Sequence, residues 1–202
     1  MSKALVEYLS RYITVPEELA ELFMGSSLVR SYPKGAILLR EGELAREGYF
    51  ILKGCMRSYV LKEGEDRTID FFIEEDSVLP LGYGQDLPSS HFLECLEDTV
   101  AVVGTPEEEE RLLSEYPQLK EVCLAMSEVM AAKFQASLAR YRTSSPEERY
   151  LDLLERRPDL PRRIPQYHIA SYLGVQPESL SRIRKRLARP RADAAREIPG
   201  GS

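Results

Sequence analysis

Apolar positions recur in three different rhythms along the chain, and each rhythm predicts a different element. At the start, "TVPEELAELF" has helical spacing. Thr14 is placed to cap it, Pro16 suits its first turn, and Glu17 stands three residues after Thr14 as a capping box requires. From Ser31 to Val103 the rhythm shortens to β-rich runs, "AILLREG", "GYFILKG", "MRSYVLK", "TIDFFI" and "TVAVVG", punctuated by Gly35, Gly42, Gly54, Gly64 and Gly104. Short strands at this turn frequency predict an antiparallel barrel, roll or sandwich. "TPEEEERLLSEYP" then returns to helix, with Thr105 as cap, Pro106 inside it and Glu108 completing a second capping box. The acidic run Glu107 to Glu110 complements the positive end of that helix and needs no ligand to explain it.

Beyond Pro117, "QLKEVCLAMSEVMAAKFQASLARYR" contains no Gly or Pro and predicts one long helix. Leu119, Val122, Met126, Val129, Met130, Phe134, Leu138 and Tyr141 recur along it at spacings dominated by three and four. Such a stripe is more often ordinary core than a partner seam, but a helix this long between two modules has little of its own chain to pack against, which points to a seam with a second subunit. "TSSPEERYLDLLERRPDLPRR" follows, with Ser145 capping, Pro146 in the first turn and Glu148 closing a third capping box.

The stretch "IPQYHIASYLGVQPESLSRIRKRL", Ile164 to Leu187, has the spacing of two steeply crossing helices. Ala170 provides the close approach, Gly174 the turn with positive φ, and Leu180 the facing apolar contact, while Ile169, Leu173, Val175 and Ile183 fill the other inward places. Pro177 falls in the first turn of the second helix. Left outside are Gln176, Glu178, Ser179, Ser181, Arg182, Lys185 and Arg186, a polar and basic surface suited to phosphates and base edges. Gln166 and Tyr167, at the start of the first helix, complete the expected DNA-facing set. The pattern is that of a helix-turn-helix.

Charge sharpens this picture. The total is −6, but residues 1–139 hold 13 Lys and Arg against 25 Asp and Glu, while residues 140–202 hold 14 against 8. A basic C-terminal segment on an acidic body suits a polyanionic partner. An apolar content of 43% over 202 residues is ordinary for a globular protein. The sequence shows no uninterrupted apolar run of about 18 residues and no secretory signal in "MSKALVEYLSRY", so a cytoplasmic location is expected. Cys55, Cys95 and Cys123 lack CxxC spacing and read as small buried or half-buried hydrophobes, not metal ligands. With His91 and His168 the only histidines, no nucleophile with a base and no paired carboxylates stand out, so no enzymatic activity is expected.

On the phrases "YPKGAILLREGE", "GYFILKGCMRSYV" and "CLEDTVAVV", the long connecting helix and "IASYLGVQPESLSRIRKRL", the chain resembles the Crp/Fnr transcription regulators over nearly its whole length. In style it looks similar to the divergent branch common in Bacteroidetes. The resemblance implies an α+β fold: an N-terminal cyclic-nucleotide-binding-like β-roll over residues 1–116, a dimerisation helix over 117–143, a helix-turn-helix domain over 144–188 and a tail over 189–202. It implies a homodimer on palindromic double-stranded DNA, with RNA polymerase as a further partner. Glu178 and Arg182 match positions that contact bases in the family, and Gln176 and Ser179 match positions near phosphates. Pro177 replaces an arginine that contacts bases in the best-known members.

The family's cyclic-nucleotide cassette uses a Gly-Glu pair for the ribose and an arginine followed by Ser or Thr for the cyclic phosphate. In "LGYGQDLPSSHFLECLED" Ser89 stands in the arginine's place beside Ser90, with Gln85 upstream and no Gly-Glu pair before it. Without the arginine a buried phosphate lacks its charge-assisted partner, so cyclic AMP is not the expected effector. Three scattered cysteines do not make the four-ligand set of an iron–sulfur cluster. The cofactor, if any, is unknown: His91 is the one candidate haem ligand, and a lone histidine is more often a surface or structural residue. The tail "ARPRADAAREIPGGS" is too short and too rich in Pro, Gly and charge for the two-stranded wing of many relatives and reads as mobile, with Arg189, Arg191 and Arg196 free to approach DNA. The alternative is a ligand-binding β-roll whose DNA binding is weak or lost.

Overall fold

The computed structural model describes residues 3–11, 13–24 and 28–188. Two short helices, α1 (Lys3–Leu9) and α2 (Glu17–Met24), precede the strands β1 (Val29–Tyr32), β2 (Ile37–Leu39), β3 (Gly48–Lys53), β4 (Met56–Lys62), β5 (Glu65–Phe72), β6 (Ser77–Val78), β7 (Phe92–Cys95) and β8 (Thr99–Gly104). Then come α3 (Pro106–Glu115), α4 (Leu119–Thr143), α5 (Pro146–Arg156), α6 (Leu160–Arg163), α7 (Gln166–Leu173) and α8 (Pro177–Ala188). The chain divides into two units, between Thr143 and Ser144.

In the first unit the strands form two antiparallel four-stranded sheets, ordered β1-β8-β3-β6 and β2-β7-β4-β5. Burial on both faces of β3 and β8 explains why both read as unbroken apolar runs. Tyr49, Ile51, Ala101 and Val103 point between the sheets, where they meet Leu39, Met56, Val78, Leu93 and Cys95. Phe50 and Val102 point the other way, into a second core with Leu5, Leu9, Leu19, Phe23 and Leu119. Each such fully buried large side chain contributes about 1.5–3 kcal/mol. At the β3–β4 turn Gly54 has φ +106°, and a Cβ there would lie 2.7 Å from the Thr99 Cα. Only glycine fits both the dihedral and the space.

The helix starts depart from expectation at one place. The boxes Thr105/Glu108 and Ser145/Glu148 are formed in full. By contrast α2 begins at Glu17 and the Pro16 carbonyl accepts from the Ala20 N–H at 2.9 Å, so Pro16 sits just ahead of the helix and Thr14 is not its cap. β1, β6 and β7 are additional to the runs read as strands. The tail, with Arg189, Arg191 and Arg196, lies outside the described residues.

The long helix α4 requires one correction. Leu119 is buried against α1, α2, Phe50 and Val102, so it belongs to its own subunit's core and not to a seam. Val129 is exposed, on a different side of α4 from Met130, Phe134, Leu138 and Tyr141 at about 100° per residue. The latter four are all exposed, Phe134 at 71%. The side chains of Val122 and Met126 lie outside the described set. α4 is also long enough and apolar enough over an 18-residue window to meet the criterion for a membrane span, although it contains no uninterrupted apolar run of that length. Glu121, Glu128 and Arg140 on the same helix are costly in a bilayer interior.

In the second unit Tyr150 and Leu153 of α5, Leu160 of α6, His168, Ile169, Ala170 and Leu173 of α7 and Leu180 and Ile183 of α8 are buried. The Arg149 guanidinium donates to the Leu173 carbonyl at 2.9 Å, satisfying an orphan acceptor at the end of α7.

Candidate nucleic-acid interface and sensor site

The turn between α7 and α8 is built by a complete C-terminal cap. Gly174 adopts φ 70°, ψ 34°, its N–H donates to the Ser171 carbonyl, and the Val175 N–H donates to the Ala170 carbonyl at 2.9 Å. This Schellman arrangement needs the left-handed conformation that Gly174 supplies without penalty. Two residues on, the Gln176 carbonyl accepts from Ser179 N–H at 2.9 Å, and Pro177 opens α8 where its missing N–H is harmless. Ala170 is fully buried at the crossing and Leu180 is 1% exposed. Val175, placed in the core by spacing, is half-buried.

With Leu180 and Ile183 inward, α8 turns Glu178, Ser181, Arg182 and Lys185 outward, and all four are exposed. Gln176 is exposed in the turn, Ser179 is half-buried, and Tyr167 is exposed with its ring 4.0 Å from that of buried His168. The Arg182 Nε donates to the Glu178 carbonyl at 3.4 Å, and among the described residues neither Arg182 nor Lys185 is paired with an acid. Two expected members are already engaged within the unit. Arg186 is ion-paired with Glu147 of α5, and the Gln166 side chain is held by the Pro161 carbonyl and the Arg184 guanidinium. Spacing carries no sign of either pairing, nor of the part taken by Arg184.

The cassette region of the first unit is closed upon itself. Ser89 is 2% exposed, and its hydroxyl donates to the His91 carbonyl at 2.9 Å. Its backbone is also used, with Ser89 N–H donating to the Glu43 carbonyl and the Ser89 carbonyl accepting from the Gly42 N–H. Ser90 and Gln85 are exposed, so Gln85, Ser89 and Ser90 do not present a shared set of free donors. Burial lowers the pKa of His91 and favours its neutral form.

A buried charge cluster that no motif announced lies on β4, β5 and β7. Arg57 is 4% exposed and donates to Glu94 at 2.9 Å, to Asp66 at 2.8 Å and to Thr68 at 3.2 Å. Its guanidinium also lies 4.1 Å from the Tyr59 ring centroid, and Tyr59 stacks on Phe92 at 4.9 Å. Burial opposes the charge, but the hydrogen bonds to the two carboxylates prevail and its pKa is raised. Register produces this cluster: Arg57 faces Glu94 across β4 and β7. All three cysteines are free, Cys55 and Cys95 are buried, and burial pushes the Cys95 thiol up to about 11. Among the described residues no three His, Cys, Asp or Glu side chains converge on a possible metal position.

The sequence of residues 29–116 matches the family model for the cyclic nucleotide-binding domain. No curated protein sequence matches the chain. Among solved structures, FixK2 from Bradyrhizobium japonicum is similar with a TM-score of 0.64 and 23% identity, over 79% of this chain and 83% of that one. The c-di-GMP responsive global regulator CLP of Xanthomonas campestris gives 0.63 at 19% identity, over 83% and 89% of the two chains. The catabolite activator protein of Thermus thermophilus gives 0.50 at 19%, over 88% and 85%. The matched segment thus lies within a chain that has the Crp/Fnr fold: an antiparallel roll, a long helix and a helical C-terminal unit.

Proposed function

We propose that this chain is a sequence-specific DNA-binding transcription regulator that acts as a homodimer on a palindromic site, in the cytoplasm, and has no enzymatic activity. The observation that carries the reading is α8: a helix set by a complete turn motif, with Arg182, Lys185, Glu178 and Ser181 outward and its apolar residues buried. Such a helix fits the major groove, where an arginine makes a bidentate contact to guanine and a glutamate accepts from a cytosine amino group. Lys185, further along, meets phosphate. A palindromic site calls for a two-fold protein, and Met130, Phe134, Leu138 and Tyr141 supply a seam for it.

Selection from a randomised duplex library followed by footprinting tests the reading. The full-length protein is expected to recover a palindrome and to protect two half-sites about one helical turn apart. Recovery of no sequence, or of an unpaired half-site, would overturn it. Phe134→Glu is expected to abolish the dimer in sedimentation, and a wild-type chain that runs only at 23.0 kDa removes the seam. Since Ser89 offers no positive charge and its hydroxyl is engaged, cyclic AMP is expected to give no calorimetric signal at micromolar concentration and no change in DNA affinity. RNA polymerase is the further partner this reading implies.

A further inference from the structure

On α8, Leu180 and Ile183 face inward, and Arg184 and Arg186 leave the helix from opposite flanks of that buried stripe. Each ends on a different element. Arg184 Nη1 donates to the Gln166 Oε1 at 2.7 Å, while the Gln166 Nε2 donates to the Pro161 carbonyl at 2.7 Å. Both ends of one half-buried amide are therefore used, and the side chain joins α6, the start of α7 and α8. On the other flank Arg186 pairs with Glu147 in the first turn of α5, where a carboxylate also complements the helix dipole. Arg182 and Lys185, which share the outward face of the same basic run, have no such tether to another element among the described residues.

We propose that Arg184 and Arg186 are positioning residues that brace the second helix of the helix-turn-helix from both sides, and that they are not phosphate anchors; the role in recognition rests on the DNA-binding reading above. A guanidinium neutralised by Glu147 gains little by moving to a phosphate, because it leaves that carboxylate behind, and Arg184 would have to release the amide that locks Gln166. The basic run at residues 182–186 is thus divided by geometry into groups that face the groove and groups that set the helix.

The division has a signature in salt dependence. With the full-length protein, the duplex recovered by selection and a scrambled duplex, Lys185→Met should make the slope of log K against log salt shallower by about 0.9 for each phosphate that is no longer neutralised. Arg184→Met and Arg186→Met should leave the slope unchanged and weaken the selected duplex alone, by roughly five-fold. A slope reduced by either arginine substitution as much as by Lys185→Met would overturn the proposal. Hydrogen exchange at the α7 and α8 amides reads the brace without DNA. Arg184→Met should lose protection by roughly three-fold, Gln166→Leu at least as much because it also frees the Pro161 carbonyl, and the double variant no more than Gln166→Leu. Additive losses in the double variant would show that no strut exists. Failure of the wild type to select any duplex removes the DNA-binding reading, while the exchange comparison still decides the brace.

Discussion

Arg57 and Arg182 are the same residue type put to opposite uses in the two units. Arg57 is enclosed by Asp66, Glu94, Thr68 and the Tyr59 ring, and its charge is consumed inside the sheet unit. Arg182 stands on the outside of α8 with a backbone carbonyl of its own helix at 3.4 Å. A buried ion cluster fixes which strands lie side by side, because each partner is costly without the others. An exposed guanidinium without an acidic partner adds little to stability but keeps its donors for a second molecule. Net charge alone does not reveal this difference: the acidic unit holds Arg57 buried, with two carboxylates already on its guanidinium.

The comparison breaks most visibly at Arg57. Arg57→Met removes the guanidinium that holds Asp66 and Glu94 together, and is expected to destabilise the first unit by roughly 2–3 kcal/mol in urea unfolding. That is below the loss for a fully buried pair because both carboxylates retain some solvent contact. Adding Glu94→Gln to Arg57→Met should restore part of the loss. A single variant within about 0.5 kcal/mol of wild type would mean that the cluster is incidental.

Arg182→Ala is the converse. Its unfolding free energy should stay within about 0.5 kcal/mol of wild type, while specific DNA binding weakens by roughly 1–3 kcal/mol per half-site and preference relaxes at one base pair. Equal losses on selected and scrambled duplexes would instead make Arg182 a phosphate contact, and base reading would pass to Gln176 or Ser181.

The two units also differ in how openly their sequences declare them. The helix-turn-helix is local: Ala170, Gly174, Pro177, Leu180 and Ile183 lie within a few turns of one another, and periodicity alone orders them. The site on the sheets is not. Arg57 finds Glu94 at a separation of 37 residues, on a four-residue strand whose charge hides its β character. Leu119 follows the helical stripe in sequence but is claimed by α1 and α2, an interaction that spacing along α4 cannot contain. The same limit holds within the second unit. Arg186 looks like Lys185 until Glu147, on another helix, takes one and leaves the other. Periodicity identifies which face is inside; it is silent on which outward charges are already spent.

The smallest expected effect concerns His91, beside the closed cassette. Burial lowers its pKa from the ordinary value of 6.5, so the unfolded chain binds the proton more readily than the folded one. Stability from this group is therefore fully present above the unfolded value and is lost as pH falls through 6.5 toward the lower folded value. His91→Gln removes the titrating ring and leaves the backbone carbonyl that accepts from Ser89 in place. Unfolding free energy of the first unit, measured from about pH 7.5 down to about pH 5, should thus fall less steeply in His91→Gln than in wild type, with the two curves differing most at the acid end. Parallel curves would mean that His91 is as open to solvent folded as unfolded, and the cassette would then be less closed than the hydrogen bonds of Ser89 make it.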